Sequence, residues 1–264
     1  MAPAVRPLGL VLLVTLAGCA RAPRPGPARA PRPDLTVMTY NVNFGLAGDD
    51  ATLQAIRREG ADVVLLQETN EAWQADIEER LSGIYPTRRY HHCCRAGGLA
   101  VLSRFDVGDL GVLPARHGWF PAWRVVVRSP TGPVQILSVH LRPAVSDSGG
   151  VVSGAFTTPR VRRAEIEDFY GLVDRSLPTL VVGDLNEGPN GHAVEFLQAQ
   201  GLTNVLPEAG GPQSTWHWRT SVGTLRLQLD HIFCNGLLRP LWAHVVHAGH
   251  SDHYPVVAAF ARRG

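Results

Sequence analysis

The chain has no lysine, only two methionines and only four cysteines among its 264 residues. Arginine therefore carries the basic charge. It suits bidentate phosphate contacts, although compositional bias is the stronger account of its abundance. Charge of one sign is also missing: 25 basic against 23 acidic residues leave a formal +2. That is too little for the strong global field of a sequence-independent nucleic-acid binder, yet it does not exclude a polyanionic partner. No CxxC spacing occurs, which argues against a cysteine-based zinc site, and no solenoid-length repeat is apparent. What remains is an ordinary globular composition, 45% hydrophobic and 18% charged, long enough for one large domain or two small ones.

The N-terminal apolar run, Leu8 to Ala17 behind Arg6, is too short to span a bilayer as a mature helix and fits an export signal. It ends Leu16-Ala17-Gly18-Cys19, which resembles a bacterial lipobox. Residues 1–18 then read as a signal peptide and Cys19 as a lipidation site, the alternative being an ordinary signal peptide with an incidental cysteine. The Pro/Arg/Ala stretch over 19–33 reads as an extended spacer and 34–264 as the folded domain. The expected location is the cell envelope, lipid-anchored to a membrane.

Along the domain, hydrophobic periodicity predicts strands at Leu35–Tyr40, Ala61–Leu66, Leu99–Leu102, Trp123–Arg128, Val134–His140, Leu180–Val182, Leu227–Phe233 and Val256–Ala259. Helices are expected at Asp50–Glu59, with Asp49 or Asp50 as N-cap, and at Asn70–Leu81, Pro159–Ser176 and His192–Gln200. The fold class is α/β: a strand-rich mixed core, two packed sheets, covered by helices. Of the remaining cysteines, adjacent Cys93 and Cys94 rarely bridge each other comfortably. That leaves a link from one of them to Cys234, or no bridge.

Asn41, Glu68, His140 and Asp184 each sit at the end of an apolar strand, where side chains face a common rim. Singly these are ordinary strand-end residues. In LVVGDLNEGP, by contrast, a buried strand opens through Gly183 into Asp184 and Asn186, a carboxylate and an amide suited to holding water beside a phosphate oxygen. LQLDHIF places Asp230 at a strand, and GHSDHYPV pairs Asp252 with His253. A carboxylate beside an imidazole fixes its orientation and supports its positive charge.

In order, NVNFG, LQET, SVHLRP, GDLNEGP, LDHIF and SDHYPV resemble the motifs of the endonuclease/exonuclease/phosphatase superfamily, from about Thr36 to Ala259. The resemblance implies a four-layer α-β-β-α sandwich of two mixed sheets. It also implies a metal-dependent phosphodiesterase, with Glu68 as principal metal ligand helped by Asn41 and Asp252. Asp184 would orient or deprotonate water, Asn186 would hold it or a phosphate oxygen, and Asp230 would orient His253 to stabilise charge. His140 would serve the leaving group as acid or donor, and Arg124 would support the phosphate. Oxygen ligands favour Mg²⁺, Mn²⁺ or Ca²⁺.

The expected partner is nucleic acid, cut by a monomer. The alternative is a phospholipid head-group phosphodiesterase, sphingomyelinase-like, with Trp119, Phe120 and Trp123 as a lipid-facing loop. A third reading is an inactive phospho-ligand binding module. The run His91-His92-Cys93-Cys94 matches none of these motifs and reads as a disulfide-bearing loop or as neutral, ahead of a transition-metal site.

Overall fold

A computed structural model describes residues 32–144 and 151–263, without side chains over 151–157. The apolar run, Cys19 and nearly all of the spacer lie outside the described residues. In chain order the first elements are β1 (Leu35–Asn41), α1 (Asp50–Glu59), β2 (Val63–Gln67), α2 (Glu71–Leu81), β3 (Thr87–His91) and β4 (Leu99–Ser103). Next come β5 (Val107–Leu113), β6 (Ala122–Ser129), β7 (Gly132–His140), α3 (Val151–Tyr170), β8 (Thr179–Asp184) and α4 (His192–Ala199). The last are β9 (Thr203–Asn204), α5 (Val205–Ala209), β10 (Trp216–Thr220), β11 (Gly223–Leu227), β12 (Asp230–Cys234), β13 (Leu238–Val245) and β14 (Val256–Arg262).

Two six-stranded sheets form, ordered β13-β14-β1-β2-β4-β3 and β5-β6-β7-β8-β12-β9. Each carries one parallel pair at its centre, β1 with β2 and β7 with β8, and is otherwise antiparallel. The period of two along these strands sets the layering. Val37, Val63 and Leu65 point into the core between the sheets with Val125, Ile136, Val182 and Ile232. Met38, Val64 and Leu66 point outward onto Leu53, Ile56, Trp73 and Ile77 of α1 and α2. On the second sheet, Leu137, Val139 and Val181 pack under Ile166 and Phe169 of α3 and Val194 and Leu197 of α4. Central strands are thus buried on both faces, which is why they read as continuous apolar runs. The result is the α-β-β-α sandwich.

Local chemistry explains the helix ends. Asp49 caps α1 by accepting from the Thr52 amide at 2.8 Å, and Gly60 closes it in the left-handed region. Asn70 caps α2 through the Trp73 amide at 3.0 Å. Three expectations are corrected. Helix α3 runs through Pro159 instead of starting there, and it stops at Tyr170, before Gly171. The stretch Leu227–Phe233 divides between two sheets, Leu227 ending β11 and Asp230 opening β12. Cys93 and Cys94 are joined to each other, while Cys234 is a buried free thiol. No helix among the described residues is long and apolar enough to cross a membrane.

Candidate active site

Strand register gathers the polar strand ends. His140 of β7 lies opposite Asp184 of β8 in the parallel pair, and Asp230 of β12 lies opposite Asp184 on the other side. Asn41 ends β1 opposite Gln67 of β2, so Glu68 follows one step beyond. The first sheet thus delivers Asn41 and Glu68, and the second delivers His140, Asp184 and Asp230.

The contacts knit both sheets at one place. Asn41 Nδ2 donates to Glu68 Oε1 at 2.9 Å and to Asp184 Oδ2 at 3.2 Å. His253 Nδ1 donates to Asp230 Oδ2 at 2.8 Å, while its Nε2 stands 3.6 Å from Asp184 Oδ2. His140 Nε2 stands 3.6 Å from the same oxygen and 4.0 Å from Glu68 Oε1. One carboxylate oxygen therefore faces two imidazoles.

The two histidines are in opposite states. Burial disfavours charge on His253, but Asp230 and Asp184 outweigh it and push its pKa up to about 10. His253 is thus an imidazolium at neutral pH. Burial lowers His140, and Asp184 offsets this only in part. Its Nδ1 is 3.1 Å from the Ala96 carbonyl, which can only accept. In neutral His140, then, Nε2 faces the site as a bare lone pair, so as it stands this residue takes a proton before it can give one. Phe120 packs on the His140 ring with centroids 4.5 Å apart. Burial also raises the carboxyls of Asp184 and Glu68, against the pull of His253 on the first and of the Asn41 amide on the second.

The backbone is specialised here. Gly183 has φ +146°, and a Cβ on it would lie 1.9 Å from the Val139 carbonyl oxygen, so only glycine allows β7 and β8 to close. Asn43, Glu68 and Asn186 have φ of 60°, 61° and 52°. For Glu68 the left-handed conformation costs on the order of 1–2 kcal/mol, and such strain clusters where a side chain must be aimed.

Asn186 donates from its amide to the Leu141 carbonyl at 3.0 Å, and its backbone N–H donates to Asp184 Oδ1 at 2.8 Å. It therefore positions Asp184. Asp252 lies at the rim, accepting from Trp216 Nε1 at 3.0 Å and Asn43 Nδ2 at 3.4 Å rather than joining Glu68 and Asp184. Arg124 is not brought to the site. Its guanidinium caps the carbonyls of Leu172 and Leu110, because β6 turns it toward the helix layer that its register partner Leu137 also faces. Phe120 and Trp123 are buried, and exposed Trp119 lies under the Arg142 guanidinium, so these three form no lipid-facing loop. Residues missed from sequence include Ser251, whose hydroxyl donates to the Asn41 carbonyl, and Thr215, which accepts from the Leu229 and Asp230 amides. The Ser of SDH was visible; nothing marked Thr215.

The donor set fits a hard cation. Glu68 and Asp184 bring carboxylate oxygens to the Asn41 amide, and Asn41 Oδ1, which accepts from the Asn43 amide at 3.1 Å, would have to turn toward them to serve a hard divalent cation. Ligand atoms of Asp184, Asp230 and His253 also lie within 4.8 Å of one another. That triad suits a charge cluster better, because a protonated imidazole hydrogen-bonded to Asp230 has no lone pair to donate.

The family model of the endonuclease/exonuclease/phosphatase family matches residues 38–253, from β1 through His253. The chain belongs to this family. No curated protein matches significantly. Among solved structures, an endonuclease/exonuclease/phosphatase from Beutenbergia cavernae is 21% identical at TM-score 0.70, covering 88% of this chain and 72% of that one. A functionally unknown conserved protein from Enterococcus faecalis is 18% identical at TM-score 0.64, covering 87% and 100%. D. rerio TDP2, solved with a single-strand DNA product, is 16% identical at TM-score 0.64, covering 86% and 98%. At these identities the likeness to the solved structures shows the fold alone.

Proposed function

We propose that the chain is a divalent-metal-dependent phosphodiesterase acting on nucleic acid, exported and tethered to a membrane through lipidated Cys19. The observation that carries the catalytic reading is the single carboxylate, Asp184, set 3.6 Å from an imidazolium on one side and from a neutral imidazole on the other. Asp184 orients a water and takes its proton as the water oxygen attacks phosphorus, a role its raised proton affinity suits. His253, held charged by Asp230, offsets the negative charge that accumulates on the phosphoryl oxygens. His140 takes a proton from solvent as the anionic substrate binds beside it and passes it to the departing ester oxygen as the P–O bond breaks. Asn186 fixes the turn that aims Asp184. Glu68, with Asn41 once its amide oxygen turns to the site, would hold a hard divalent cation, which would supply Lewis-acid polarisation of the phosphate. Family membership supports a phosphoesterase, and the DNA product bound to D. rerio TDP2 supports the nucleic-acid substrate. Hydrolysis of a phospholipid head group is the second reading, favoured by the exposed apolar ribbon beside Asp252 described below.

The test is a panel of plasmid DNA, RNA, sphingomyelin, phosphatidyl lipids and bis-nitrophenyl phosphate, with Mg²⁺, Mn²⁺ or EDTA. Cleavage of DNA or RNA is expected, lost with EDTA and in Asp184→Ala and His253→Ala. Turnover of lipid alone promotes the second reading, and survival of every substrate refutes the enzymatic one.

A further inference from the structure

Strands β10 and β11 form a two-stranded ribbon separate from both large sheets. Its register pairs Trp216 with Leu227, Trp218 with Leu225 and Thr220 with Gly223, so these side chains share one face. His217 pairs with Arg226 and Arg219 with Thr224 on the other face. The ribbon stands in solvent: Trp218 is 55% exposed, Val222 at the tip 95%, and Leu225 and Leu227 are exposed as well. Four of the chain's large exposed hydrophobic residues thus fall within ten positions, and solvent alone gives them no purpose. No acidic residue lies between Glu208 and Asp230.

The base of the ribbon is fastened to the site. Trp216 bridges to His253 and donates to Asp252, the His217 amide donates to the Asp252 carbonyl at 2.9 Å, and the Tyr254 amide donates to the Thr215 carbonyl at 2.6 Å. The ribbon is therefore a rigid projection from the catalytic rim.

We propose that the β10–β11 ribbon is a docking element for an anionic phospholipid surface. Val222, Trp218, Leu225 and Leu227 enter the interface, and Arg219 and Arg226 reach the headgroups. Val222 at an uncharged tip and the leucines behind it partition among acyl chains, an indole settles at the boundary, and arginine stems extend toward phosphate. Single-stranded nucleic acid fits less well, since the most exposed large hydrophobic side chain of the ribbon is a valine, which neither stacks on a base nor contacts a phosphate. A second copy of the chain fits less well too, because paired ribbons would crowd four arginines with no acid among them. The proposal does not depend on which phosphoester is cut.

The test uses the full chain carrying Cys19→Ser and Val222→Cys. With Cys93 and Cys94 bridged and Cys234 buried, a nitrobenzoxadiazole label goes to position 222. Mixed phosphatidylcholine–phosphatidylglycerol vesicles are expected to brighten and blue-shift the label. Pure phosphatidylcholine should need about thirtyfold more lipid, as expected for two arginines near an anionic surface. No spectral change on the mixed vesicles refutes the proposal, and a saturable change on a single-stranded oligonucleotide instead assigns the ribbon to nucleic acid. In flotation, Val222→Asp with Leu225→Ser should weaken vesicle binding about tenfold or more relative to the parent. The N-terminal apolar run is common to both chains, so the difference isolates the ribbon. Hydrolysis of soluble bis-nitrophenyl phosphate should be equal in the two, which separates a failed ribbon from a failed active site. Equal vesicle binding by parent and variant overturns the proposal.

Discussion

Replacing Asp230 by asparagine keeps the shape of the site and removes the charge that holds His253 protonated. The imidazole stands at about 10 against an ordinary 6.5, a preference of up to about 5 kcal/mol for the charged form. Asp230 is the nearer of its two carboxylates, at 2.8 Å against 3.6 Å for Asp184. A carboxylate at such range accounts for about 1–3 pK units, so the variant should titrate between about 7 and 9. Activity on bis-nitrophenyl phosphate, followed from pH 6 to 10, should then lose its alkaline limb about 1–3 units earlier than the parent. Stability shifts with the same sign. A raised folded-state pKa stabilises fully below 6.5 and loses that contribution as pH climbs toward 10, so the parent's melting temperature should fall over that window and the variant's should fall less. An alkaline limb that stays in place in Asp230→Asn would falsify the assignment of His253 as a carboxylate-held imidazolium.

Arg162 is buried, with Nε on Glu187 at 2.8 Å and Nη1 on the Arg142 carbonyl at 3.1 Å; it joins the segment after His140 to the turn after Asp184. Arg162→Met should cost about 3–5 kcal/mol in denaturant unfolding by stranding the Glu187 charge, and turnover should fall more than substrate affinity. Glu165 is raised by burial to about 7, so it opposes folding as pH rises from 4.5 through 7. Glu165→Gln should therefore be more stable than the parent in denaturant unfolding at pH 8 by up to about 3 kcal/mol, with no gain at pH 4. Gly183→Ala should yield little folded protein, because its Cβ would meet the Val139 carbonyl at 1.9 Å; a normal circular dichroism melt contradicts this.

The central strands were legible because burial on both faces makes them unbroken apolar runs, as in VVLLQ and LVVGD. The edge strands were not. β3 reads TRRYH, β5 carries two glycines and a register shift, and β13 contains Pro240 beside another shift. Such edges are blunted by the residues that hide them from pattern reading. At the site, Glu68, Asp184, Asp230 and His253 announce themselves through their motifs. Arg124 misled because a strand arginine beside aromatics says nothing of which face it takes, and register alone decides that. The Thr215 hydroxyl holds the Leu229 and Asp230 amides and the Ala96 carbonyl holds His140; such side-chain-to-backbone pairings leave no mark in the sequence pattern.

The seam that supplies Asn41 and Glu68 from one sheet and His140, Asp184 and Asp230 from the other makes catalysis a proximity gauge. Neither half holds a working set, so the chemistry appears only when the interior between Val63 and Ile136 has closed. Slippage of one layer over the other would silence the enzyme while each layer kept its own ladder intact.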